Sequence, residues 1–398
     1  MYKRQAINNG TLVVANNFAA TVSATASAAA DLTIISGQTS GTVDATAATA
    51  INGTASAVAT ALADTEITHS DSFAVTLTAG SAAATDLTAI DAATSAVVDG
   101  SAITTITGTA AAIAAAATLD ASPQTTNLGN FAATVSEGAV SAADLTTIST
   151  QTSGTVNATA ATAINGTASA VATALADTEI THSDSFAVTL TAGSAAATDL
   201  TAIDAATSAV VDGSAITTIT GTAAAIAAAA TLDASPQTTN LGNFAATVSE
   251  GAVSAADLTT ISTQTSGTVN ATAATAINGT VSAVATALAD TGITHTNTFT
   301  TTVTGAGAAL DLLAINTATT KPVSATGVTT ITGTIANVNL VLAEEANQNQ
   351  VGDAIDLDND FTVTVSDTGS VAATTLTTLD TNVPGATVTA SGITTLTG

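Results

Sequence analysis

The chain has 398 residues, of which 46% are hydrophobic and 2% aromatic, with no Trp and no Cys; its 30 acidic and 3 basic residues give a formal net charge of -27, although only 8% of positions are charged. So few cations argue against nucleic acid or an anionic membrane surface as partner, because both demand clustered Lys and Arg. The missing cysteines exclude a disulfide framework and thiolate metal sites, and the high apolar content argues for a folded chain rather than a disordered one.

Residues 1–5, "MYKRQ", fit no position of the pattern that follows and hold two of the three basic residues. They read as a non-native, adaptor-derived segment, and residues 6–17 as the tail of an earlier repeat unit. The chain is accordingly expected to be an internal piece of a longer open reading frame.

From there the sequence repeats, the signature of a stacked-unit architecture. "DLTIISGQTSGTV" begins at Asp31, and "DLTTISTQTSGTV" at Asp144 and again at Asp257, so that the three copies are equally spaced along the chain. A shorter period lies inside this long one. The seven phenylalanines, Phe18, Phe73, Phe131, Phe186, Phe244, Phe299 and Phe361, each open F-x-x-T-[VL]-[ST] and mark the starts of successive units, the last of them truncated. Between them stand "AING" or "TITG" segments ending at Gly53, Gly108, Gly166, Gly221, Gly279, Gly333 and, as "TLTG", Gly398. Both segments alternate apolar and polar residues and read as strands.

The stretches after each strand read as helices. Ser141 with Asp144, and Ser254 with Asp257, have capping-box spacing; Leu145 and Ile148 then share a face. Thr54 reads as an N-cap, with Val58 and Leu62 in line at i, i+4. Strands joined by helices must run parallel. Residues 18–398 are thus predicted to form one continuous α/β repeat solenoid: a parallel sheet of about fourteen strands with Ala-rich helices on one face. The alternative is an all-β solenoid in which the alanine segments are strands or loops. Alternation within "FAVTLT" sends Val75 and Leu77 to the helices and leaves Thr76 and Thr78 on the open face. The longest apolar run, "AAAIAAAA" at 110–117, is too short to span a bilayer.

Candidate sites are few. His69, His182 and His295 each follow "IT" and stand one long repeat apart, too far for a shared metal, and read as repeat decoration rather than catalysis. Carboxylates preceding the phenylalanines suggest calcium. "DAIDLDNDF" offers Asp353, Asp356, Asp358 and Asp360, the alternating oxygen ligands that a hard cation prefers, and Asp71 and Asp184 stand at equivalent places in earlier units. An Asx-rich turn entering a strand is the competing reading. Threonine pairs such as Thr76/Thr78, Thr189/Thr191 and Thr302/Thr304 invite an ice-binding ladder, interrupted by Ala50/Asn52, Ala163/Asn165 and Ala276/Asn278. The sequons at Asn52, Asn165 and Asn278 arise freely in a Thr-rich repeat. No phosphate-binding glycine loop is present.

With "DLTTI", "TSGTV" and "TITGTA" recurring, the chain resembles the Ala/Thr/Asp-rich repeat regions of giant exported bacterial surface proteins, notably of marine bacteria and cyanobacteria. The resemblance implies an extracellular or cell-surface stalk, spacer or adhesin segment without catalysis. Its partners would be other repeats of the same long chain and cell-surface or matrix components, with calcium a common companion.

Overall fold

The structure, a computed structural model, describes residues 16–119, 125–126, 128, 130–232, 238–239, 241, 243–249, 251–345, 354–358, 360–383 and 387–398. The segment 1–5 and residues 6–15 of the predicted leading tail lie outside them. The chain divides into two compact units, one of Met1–Thr189 with Ala205–Val210, the other of Leu190–Asp204 with Val211–Gly398.

The first unit holds helices α1 (Ala29–Ser36), α2 (Ala55–Ala63), α3 (Ala84–Ala93), α4 (Ala110–Thr118), α5 (Ala142–Gln151) and α6 (Ala168–Ala176). Threonine starts three of them: the side chains of Thr54, Thr109 and Thr167 accept from the backbone N–H of Ala57, Ala112 and Ala170 at 3.1–3.2 Å, satisfying one orphan donor in each first turn. Ser141 caps α5 through the Asp144 N–H at 3.4 Å, as its spacing predicts. The buried stripes are narrow. They comprise Ala55, Val58 and Ala61 in α2 and Ala142, Leu145 and Ile148 in α5. Leu62 is only half-buried, because the i, i+3 partner Ala61 takes the inner place. Each fully buried Val, Leu or Ile contributes about 1.5–3 kcal/mol, so stability accrues coil by coil from many small terms.

The strands of this unit pair in parallel. One sheet runs through Ala26–Ala28, Ala50–Gly53, Ala74–Leu77, Val98–Asp99 and Thr125–Thr126, and a second through Gly80–Ala83, Ile103–Gly108, Ala132–Val135, Val156–Asn157 and Ile180–Thr181. The α/β repeat architecture is therefore the one expected, solenoid-like within the unit, and the alanine segments are helices. The count of one strand per helix is corrected. In this unit each connection between helices carries two or three short strands, because residues just past the helices, such as Val98–Asp99 and Ile180–Thr181, also pair. Two residues give no readable alternation, so these segments look like loop in the sequence.

Strands and helices advance along the chain at different rates. Over four steps the helix starts advance from Ala55 to Ala168, one full long repeat, whereas paired strand positions advance less, from Ala82 through Ile106, Ala133 and Val156 to Ile180. Strand pairing thus slips against the helices by about four residues per step on average. A new strand enters at the helix N-terminus as an old one leaves past the helix C-terminus. Gly80 and Gly138 make that entry possible. With φ of +138° and +123° they sit at β-bulges that reset the alternation, so that Val75 and Leu77 face inward before the bulge and Ala82 after it.

The second unit repeats the scheme with α7 (Ala197–Ala206), most of which it contains, α8 (Ala223–Thr231), α9 (Ala255–Gln264), α10 (Val281–Ala289), α11 (Ala309–Ala318), α12 (Ile335–Glu345) and α13 (Ala373–Asn382). Some of its strands run on through the irregularity: Thr301–Ala308 and Val323–Gly333 are each continuous and pair with each other in parallel, with register shifts at Thr302/Thr304 and Gly305/Ala306. Among the described residues, no helix is long and apolar enough to cross a membrane.

Candidate functional site

Six of the unit-marking phenylalanines, Phe73 to Phe361, are buried, whereas the first, Phe18, is half-buried. Phe73 and Phe131 are 0% exposed. Their main-chain carbonyls receive a recurring hydrogen bond from the threonine that follows the next helix. Thr94 Oγ1 donates to Phe73 O, Thr152 to Phe131 O, Thr207 to Phe186 O, Thr265 to Phe244 O and Thr319 to Phe299 O, each at 2.5 Å. The same hydroxyl accepts from the N–H two residues on, as Thr94 does from Ala96 at 3.1 Å, so one buried side chain closes a turn and ties it to the preceding coil. Sequence reasoning missed this latch, although the Thr before Ser or Thr in "TSGTV", "TSAVV" and "TTKPV" signals it. Thr94→Val should destabilise the first unit by about 1–3 kcal/mol by orphaning two buried groups, read as a lower urea midpoint at unchanged m-value. A shift no larger than that of the exposed control Thr76→Ala would refute the latch.

Each histidine rests edge-on against a phenylalanine: ring centroids are 5.1 Å apart for His69–Phe73 and His182–Phe186, and 5.5 Å for His295–Phe299. Each Nδ1 lies 2.8–3.1 Å from the carbonyl of the next residue, an arrangement that packs the ring over the core.

The carboxylates proposed for calcium are dispersed. Asp71 and Asp184 are exposed, and their main-chain carbonyls accept from Ser95 and Ser208, N–H at 2.7 Å and hydroxyl at 2.8 Å. Backbone rather than carboxylate is therefore used at these two positions. Asp356 is half-buried on the strand Ile355–Leu357 beside Ser324, while Asp358 and Asp360 are exposed after it. Asp353 lies outside the described residues. Among the described residues, no three His, Asp or Glu side chains are placed to hold one metal ion. An open recess at the end of α3 gathers His69, Asp71, Asp91, Thr94 and Ser95.

On the face away from the helices, Thr76, Thr78, Thr189, Thr191, Thr302 and Thr304 are exposed as predicted. The interrupting asparagines have a role of their own. The side-chain carbonyls of Asn52, Asn165 and Asn278 accept the backbone N–H of Thr76, Thr189 and Thr302 at 2.8–3.1 Å, so they join adjacent strands.

Other acidic side chains serve as hydrogen-bond acceptors. Hydroxyls of Thr46, Ser101 and Ser214, then their N–H groups, hold Asp44, Asp99 and Asp212 below the ordinary carboxylate value. Ser36 does the same for Asp64, outweighing partial burial. Burial pushes Asp177 upward, but the Ser149 hydroxyl, 2.6 Å from its Oδ2, together with bonds from Glu179, brings it below 3.8. A depressed folded pKa means stability that is present above the unfolded value and lost as pH falls through the folded one. Ser149→Ala should therefore lower Tm near neutral pH, and its deficit relative to the parent should shrink well below 3.8. A deficit that is constant with pH would count against the Ser149–Asp177 link.

In comparisons with known proteins, no family model and no curated protein matches the chain.

Proposed function

We propose that the chain is a structural repeat segment of a large secreted or cell-surface bacterial protein, acting as a rigid stalk, spacer or adhesive surface and performing no chemistry. The observation that supports this most is the recurrence of one fastening, a threonine hydroxyl on the preceding phenylalanine's carbonyl, through both units. A site evolved for catalysis concentrates its unusual chemistry at one place. Here the polar side chains that carry structure are distributed evenly, as in arrays where each unit contacts its neighbours alone. The extracellular setting rests on the compositional resemblance noted above.

Stretching single molecules between their ends tests the mechanical reading. A spacer should resist with discrete rupture events whose length increments are multiples of one coil. Smooth extension at low force, as for a flexible linker, would overturn it. The same experiment with calcium and then chelator separates the two forms of the proposal. Rupture forces that appear only with calcium, and vanish in an Asp356→Asn, Asp358→Asn, Asp360→Asn variant, would make the segment a calcium-stiffened adhesin rather than a self-sufficient spacer.

A further inference from the structure

We draw no further inference here: the strongest candidate, the open recess at the C-terminal end of α3 that gathers His69, Asp71 and Asp91, is an acidic cluster at a helix end to which no second observation in the structure assigns a ligand.

Discussion

Phe73→Ala is expected to destabilise the first unit by about 3–5 kcal/mol, the ordinary cost of emptying a fully buried aromatic site. Three things are lost together. The ring is 0% exposed, so its removal leaves a cavity. Its edge contact with His69, at 5.1 Å between centroids, disappears, leaving the imidazole over a void. Its carbonyl, which holds Thr94 at 2.5 Å, sits on backbone that the ring anchors. Unfolding followed by circular dichroism in urea measures the total, since the chain has no Trp to report by fluorescence. Hydrogen exchange locates the loss. In an array coupled between nearest neighbours, protection should fall most around residues 67–99 and least in the coils around Phe299. Phe73→Leu should cost less, and Thr76→Ala should stay within about 0.5 kcal/mol. If Phe73→Ala cost under about 1 kcal/mol, the phenylalanines would be period markers without being anchors.

The sequence disclosed what repeats strongly and over enough residues to carry a period. "FAVTLT" alternates over a full strand and its inward pair is Val75 and Leu77; Thr54 and Ser141 cap because their side chains can reach nothing better than the free N–H groups of the turn that follows. Two-residue strands such as Val98–Asp99 were illegible because their pairing is set by Val75 and Thr125, each a whole coil away along the chain, and not by any local pattern. The polar fastenings were illegible for a different reason. Thr94 and Asn52 are common residue types whose partners, Phe73 O and Thr76 N–H, become adjacent only once coils stack. Strand alternation placed Thr76 and Thr78 on the open face, where they lie, and gave no sign of buried copies such as Thr94.

Divergence between copies supplies a sharper test of packing. At the first position of α10 the chain has Val281, where α2 and α6 have Ala55 and Ala168; at the strand position facing it stands Gly307, where the earlier copies have Ala82 and Ala195. The exchange shifts side-chain bulk from strand to helix: three side-chain carbons on Val281 and none on Gly307, against one and one in the earlier copies. A β-carbon added at Gly307 would lie 2.4 Å from Val281 Cβ and Cγ1, whereas the alanines of the earlier copies are accommodated and buried. Gly307→Ala should therefore destabilise the second unit by about 1–3 kcal/mol through overpacking, although removing a glycine from a strand would by itself stabilise. Val281→Ala alone should cost about 1–3 kcal/mol, since it deletes two buried carbons where a single-carbon deletion costs about 0.5–1.5 kcal/mol. The double variant reproduces the Ala/Ala pairing of the other copies and should recover most of the stability that Gly307→Ala loses, giving a favourable coupling of about 0.5–3 kcal/mol in a double-mutant cycle. Additive losses would show that the two positions do not touch, and with that the stacking register of strand Thr301–Ala308 on α10 would be wrong. The expected non-additivity follows from cores made of side chains so small that a single methyl group decides whether neighbouring coils can close.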